Sequence, residues 1–212
     1  YYSDKTGEYE LYVIDNKKGA TPRQVTKGSA SWKNELRWSP TNTHVVYSDR
    51  TMNLWLVDIT TGKQTVVDKA SAEEIRDYTF SPDGKWITYS KSSPNYQSAL
   101  WLYQVSTEKK HQITNATFSD GNPMFSRDGR FLFFLSNRDF NLAFSSFEFD
   151  YLYNNATRIY AIPLRNDATT INPYKIDIEP YEDKTNSKEE KTESNSSEGI
   201  DVIIDLDGIQ NR

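Results

Sequence analysis

The stretch YTFSPDGKWITYS, residues 78–90, decides the fold. An apolar, aromatic run stands on each side of Ser-Pro-Asp-Gly-Lys. Pro82 fixes φ near about −65°, Asp83 accepts hydrogen bonds from backbone ahead of it, and Gly84 tolerates positive φ, so residues 81–85 reverse the chain between two strands. The same hairpin is written twice more, as LRWSPTNTHVVYS (36–48) and PMFSRDGRFLFFLS (123–136).

Outward from these hairpins, one phrase recurs four times: Tyr2-Ser3-Asp4, Tyr47-Ser48-Asp49, Tyr89-Ser90-Lys91 and Leu135-Ser136-Asn137, at steps of 45, 42 and 46 residues. That period is the length of one four-stranded propeller blade. The upstream aromatic-Ser phrase (Trp38-Ser39, Phe80-Ser81, Phe125-Ser126) is missing from the first copy, as expected of a chain that opens inside a blade. Each copy continues with a third apolar run, at 10–15, 53–58, 99–104 and 158–162. The first three copies add a fourth, at 23–26, 64–67 and 111–114, and helical periodicity is almost absent.

The expected architecture is therefore all-β: a partial β-propeller of about three and a half four-stranded blades, with blade pieces at 1–28, 29–70, 71–117 and 118–180. In a radial stack neighbours cover both faces of a blade, so apolar residues crowd together instead of strictly alternating. Aromatic residues at 14% of the chain, with 14 Tyr and 5 Trp, suit such strands. Residues 137–155 lengthen the link between the second and third strands of the last copy. Their apolar content predicts packing against a neighbouring blade or domain. Residues 181–199, YEDKTNSKEEKTESNSSEG, read as a polar flexible loop, and 200–212 as a terminal strand, IDVIIDL, with a link to a following domain.

The 212 residues suffice for one large all-β domain or about two ordinary ones. With 25 basic and 30 acidic residues the net charge is −5, and the basic residues are scattered. Nucleic acid is not an expected partner, because phosphate binding needs a concentrated basic face. There are no cysteines, hence no disulfides, thiol nucleophile or Cys-based zinc site. No apolar run nears the ~18 residues of a membrane span, and the opening YYSDKTGEYE is not a signal peptide; a fragment of a longer protein is the expectation.

Chemistry-bearing motifs are sparse. His44 and His111 sit at unlike places in the repeat and read as surface or hydrogen-bonded histidines. No Gly-x-Ser-x-Gly elbow, phosphate loop or His-Glu-x-x-His is present. The acidic pairs Glu73-Glu74 and Glu189-Glu190 read as solvated charges, and the sequon Asn155-Ala156-Thr157 carries no weight alone. No catalytic residue, metal site or cofactor is expected. Function falls to the loops that lead into the innermost strand of each blade and line one mouth of the channel, 33–37, 74–77 and 120–122. There Glu35, Arg37, Arg76, Asp77 and Asn122 are candidates to contact the charged ends and amides of a peptide. The alternative is that they merely solvate the channel.

The Tyr-Ser-Asp phrase and Leu-Trp-Leu-Val-Asp (54–58) resemble the blades of TolB-like and tricorn-like propellers. LSNRDFNLAFSSFEFDYLY (135–153) followed by IDLDGIQNR (204–212) resembles the end of the seven-bladed propeller of the tricorn protease family. The resemblance implies a non-catalytic half-propeller of a serine peptidase that guides or filters peptides toward a catalytic region outside this chain. It also implies the remaining blades and catalytic domains as partners, and a homo-oligomer. The cytoplasm is the implied location, or the periplasm if a signal peptide precedes the fragment. No catalytic position of the family falls within the chain. Two alternatives stay open: a stand-alone TolB-like interaction propeller, and the gating propeller of a prolyl-oligopeptidase-like enzyme.

Overall fold

The structure, a computed structural model, describes residues 1–28, 31–139, 142–167 and 200–212. It is built from antiparallel sheets in chain order. The first sheet holds β1 (Tyr2–Ser3), β2 (Glu10–Val13) and β3 (Arg23–Gln24). The second holds β4 (Arg37–Trp38), β5 (His44–Ser48), β6 (Asn53–Asp58) and β7 (Gln64–Lys69), and the third β8 (Tyr78–Phe80), β9 (Trp86–Ser92), β10 (Ser98–Gln104) and β11 (Lys109–Gln112). In the last, β12 (Asp120–Phe125) and β13 (Phe131–Ser136) pair with β16 (Arg158–Pro163). Between them β14 (Leu142–Ser145) and β15 (Asp150–Tyr153) form a separate two-stranded hairpin. The described residues thus form part of a propeller, two four-stranded blades between two sheets in which three strands are described.

The unbroken apolar runs resolve into two interleaved sets. Along β5 and β6, Val45, Tyr47 and Val57 face Leu11 and Val25 of the first blade, while Val46, Leu54 and Leu56 face Tyr78, Ile87 and Tyr89 of the third. The third blade repeats the division: Ile87, Tyr89 and Tyr103 pack backward, and Trp86, Leu100 and Leu102 pack forward onto Phe125, Leu132 and Phe134. A strand sends alternate side chains to opposite faces, and here both faces are buried, each in a different core. At roughly 1.5–3 kcal/mol per fully buried large apolar side chain, these three cores hold the stack together.

The turn that opened the sequence reading forms as expected, and its first residue does more than begin it. Gly84 has φ 72°, and Asp83 accepts from the Lys85 amide at 3.1 Å. Buried Ser81 donates to Asp83 Oδ1 at 2.5 Å and accepts from the Trp86 amide at 3.0 Å. Ser126 does the same with Asp128 and Phe131, while Ser39 shares a hydroxyl–hydroxyl hydrogen bond with Thr41 and accepts from the His44 amide. The Ser126 hydroxyl, with further bonds from Arg130, brings the Asp128 carboxyl down to about 2. In the SPTNT version Asn42, at φ 56°, takes the left-handed position that glycine fills in the other two.

Three expectations need correction. Residues 200–206 form no strand ladder among the described residues. Instead they run as an extended strap across the turns of the third and fourth blades: the Val202 amide donates to Asp83 Oδ2 at 2.9 Å, Lys85 pairs with Asp201 at 2.5 Å, and the Asp205 amide reaches the Leu164 carbonyl at 2.8 Å. The turn side chains capture the strap's polar groups, and Val202 buries in the core between the blades, so sheet pairing is not what holds it. The insertion at 137–155 does not pack against a described neighbouring blade, one of the two partners expected of it: its hairpin stands clear of them, with Phe147 90% and Phe149 79% accessible. Residues 120–122, taken as loop, already belong to β12, which bulges between Gly121 and Met124. The polar stretch 181–199 lies outside the described residues.

Candidate functional site at the channel mouth

The inner strands β4, β8 and β12 all begin at the same end of the stack. The residues just before or within their starts converge on one open groove of about 420 Å³, whose lining includes Glu35, Arg37, Arg76, Asp77 and Asn122. All five candidates named from sequence are thus brought together, joined by Tyr78, Thr79, Pro123 and Met124.

The serine of the Tyr-Ser phrase fixes this rim. Asn34 donates its amide N–H to the Ser48 carbonyl at 2.8 Å, and its Nδ2 to Ser48 Oγ at 3.0 Å. In the third blade Ser90 Oγ donates to Asp77 Oδ1. In the fourth, Arg138 spans Ser136 Oγ at 2.8 Å and both oxygens of buried Asp120 at 2.9 and 3.0 Å, its guanidinium 4.8 Å from the Tyr160 ring centre. The recurring hydroxyl therefore bonds the mouth-side polar residue directly in the second and third blades and through Arg138 in the fourth, because β-sheet register places the two opposite one another.

The rim is also stitched from blade to blade. Asn34 Nδ2 donates to Glu74 Oε2 at 3.1 Å, and the Asn122 amide donates to Asp77 Oδ2 at 2.5 Å. Asn122 adopts φ 51° at the β12 bulge, which turns its N–H toward the preceding blade. Tyr78 donates its hydroxyl to the Glu35 carbonyl and accepts from the Ser48 amide at 3.2 Å. Burial pushes its pKa up, so it stays protonated. Glu73 and Glu74, read as solvated charges, are both engaged: Glu73 accepts from Ser92 at 3.0 Å, and Glu74 from Asn34 and from Arg76, the latter at 3.0 Å.

Two ion pairs stand over this frame, Arg37 with Glu35 and Arg76 with Glu74, each at 3.0 Å, with both arginines more than half exposed. Asp77 is held instead by a hydroxyl and a backbone amide. The site offers paired, water-accessible charges and hydrogen-bonding groups to a polar chain, which is binding chemistry. The histidines stand apart: His44 meets Thr43 Oγ1 at 2.8 Å, and His111 lies 6.3 Å from the Trp86 ring. Among the described residues, no three His, Cys, Asp or Glu side chains gather as metal ligands, and no helix is long and apolar enough to cross a membrane.

Sequence reasoning missed Glu74, Tyr78, Asp120, Arg138 and the three serines. Repetition of Ser in three Tyr/Leu-Ser phrases was the available signal, and its meaning appears only once register is known.

Comparison with known proteins agrees with this architecture. The tricorn protease homolog 1 of Streptomyces coelicolor is 29% identical over 156 residues, covering 74% of this chain and 14% of that protein. The tricorn protease of Thermoplasma volcanium is 28% identical over 168 residues, covering 76% and 16%. The chain therefore spans only about one-seventh of the length of these relatives. The crystal structure of the tricorn protease superposes with a TM-score of 0.71 at 17% identity, over 91% of this chain and 18% of that one. A putative TolB from Agrobacterium tumefaciens superposes at 0.50 with 23% identity, over 76% of this chain and 55% of that one. These superpositions establish the shared fold. The family described as tricorn protease second beta propeller domain matches residues 1–212, so the chain belongs to that family.

Proposed function

We propose that this propeller segment passes or filters peptides through its channel mouth to a catalytic region outside the chain. The reading extends to its setting: further blades complete a seven-bladed ring, and the parent is a cytoplasmic homo-oligomeric serine peptidase. The observation that carries it is the groove in which Glu35, Arg37, Arg76, Asp77 and Asn122 converge on a rim stitched from blade to blade. The Glu35–Arg37 pair and the Arg76 side of the Glu74–Arg76 pair are exposed, and exposed pairs contribute only ~0–1 kcal/mol. A peptide's carboxylate or ammonium can therefore displace a partner at little cost, while the hydrogen-bonded frame beneath keeps its shape.

The test uses the full-length protein carrying Arg37→Glu and Arg76→Glu together. Hydrolysis of long peptides should show KM raised about tenfold with kcat nearly unchanged, since about 1.4 kcal/mol of encounter binding is lost before chemistry. A short chromogenic substrate that needs no guidance should be cut at the original rate. Unaltered KM for long peptides would sink the proposal.

A further inference from the structure

The β14–β15 hairpin is a two-stranded sheet with which no other described strand pairs. Phe144 and Tyr151 stand opposite each other in register, their rings 5.4 Å apart edge to face, and both are more than half exposed. Phe147 and Phe149 add two further open rings at the turn. An isolated two-stranded hairpin is marginal in water, and a third strand over its apolar face is the usual remedy. Its charge is one-sided: residues 142–153 contain Glu148 and Asp150 and no basic residue. Carboxylates among open aromatic rings favour a chain that brings both apolar groups and cations, through strand pairing, ring contacts and cation–π attraction. Its position matters equally. Asn137 and Thr157, which flank the insertion, line a pocket with Asp77, Asp120 and Asn122, so the hairpin rises beside the channel mouth.

We infer that the β14–β15 hairpin is a docking edge that adds an extended peptide with alternating apolar and basic side chains as its third strand. The inference deepens the peptide-passage reading by naming the class of peptide gathered at the mouth, and it rests on that reading only for its biological purpose. Apolar side chains of the peptide lie against Phe144 and Tyr151, and its basic side chains meet Glu148 and Asp150.

The experiment measures fluorescence anisotropy of the full-length protein with a labelled nonapeptide of alternating phenylalanine and lysine. Companion peptides replace phenylalanine with serine, or lysine with glutamate. The phenylalanine–lysine peptide should bind at least about tenfold tighter than either companion. Phe144→Ser with Tyr151→Ser should abolish the preference. Glu148→Lys with Asp150→Lys, at two exposed positions, should shift it toward the phenylalanine–glutamate peptide, and this second variant covers the chance that the first misfolds. Equal binding of all three peptides overturns the inference. So does self-association that Phe144→Ser removes in a protein that binds no peptide, since a second copy is then the occupant. Peptide binding abolished by Asp77→Asn but unchanged by the hairpin variants overturns the hairpin's role and leaves the mouth reading standing. Intact hairpin binding with unchanged KM in Arg37→Glu/Arg76→Glu overturns only the mouth reading.

Discussion

Asp68, at the seam between the second and third blades, offers the sharpest test of how this stack is held. Its carboxylate is 4% accessible and accepts from Lys91 Nζ at 2.7 Å, Lys110 Nζ at 2.8 Å, Tyr89 OH at 2.8 Å and the Lys69 amide at 2.9 Å. Replacing it by Asn keeps the shape and removes the one negative charge between two ammonium groups. Breaking a buried pair in this way costs ~3–5 kcal/mol. Here the Lys91 and Lys110 side chains are 20% and 43% accessible, so water recovers part of the loss. About 2–3 kcal/mol is the expected cost of Asp68→Asn, or roughly 4–12 °C in Tm for a domain of this size. Burial is the largest influence on the Asp68 carboxyl and would raise its pKa, but the bonds from Lys110, Lys91, Tyr89 and Lys69 together outweigh it and hold the group below its ordinary value. The folded pKa thus lies below the unfolded one. Its contribution is complete above about pH 4 and disappears as pH falls through the depressed value, and the Asn variant should lack this acid-side loss. Chemical denaturation from pH 3 to 7, with Lys91→Met in both backgrounds, measures the effect. Lys91→Met should cost less in the Asp68→Asn background than in the original protein, because the pair is already broken there. Additive losses, or a drop below about 0.5 kcal/mol for Asp68→Asn alone, would refute the reasoning.

Two further outcomes follow from the turns. Gly129→Ala should destabilise more than Gly84→Ala in thermal unfolding: both sites have φ near +70°, but a Cβ at 129 would lie 2.7 Å from Val202 Cγ2, whereas at 84 it meets the Thr41 side chain at 3.2 Å. The left-handed backbone alone costs ~1–2 kcal/mol, so equal losses at the two sites would remove the strap from the argument. Ser81→Ala, which strands the Trp86 amide in a buried site, should cost ~1–2 kcal/mol by denaturant titration, and an effect within error would show that Ser81 is not the pin of the hairpin.

Much of the fold was legible because a blade is a local object. Turn chemistry at 81–85, the aromatic-Ser phrases and a period of 42 to 46 residues all act over short sequence distances, and every described strand but β16, which pairs with β13 across the β14–β15 hairpin, pairs with a chain neighbour. The five candidates share one groove by the same logic, since position within the repeat gives position along each inner strand. What escaped depends on contacts between repeats. VVDK at the end of β7 reads as a polar strand end, yet Asp68 is buried because Lys91 and Lys110 of the next blade close over it; at the corresponding ladder position Thr26 and Thr114 bond the amides of Leu11 and Leu100. The terminal IDVIIDL carries a strand's pattern but pairs with no described strand, and the turns of two blades take it instead. The aromatic insertion reads by composition as packed against a blade or another domain, and no described blade covers its rings.

By itself, then, the sequence determined the blade repeat and the end of the stack at which polar residues gather, because hairpin turns and period-two burial are decided within about forty residues. Only the tertiary structure decided which serine holds which acid, how Asp77 reaches Asn122 across a blade boundary, and where the exit segment lies. Those choices depend on the register and separation of strands in different sheets, which no local pattern encodes.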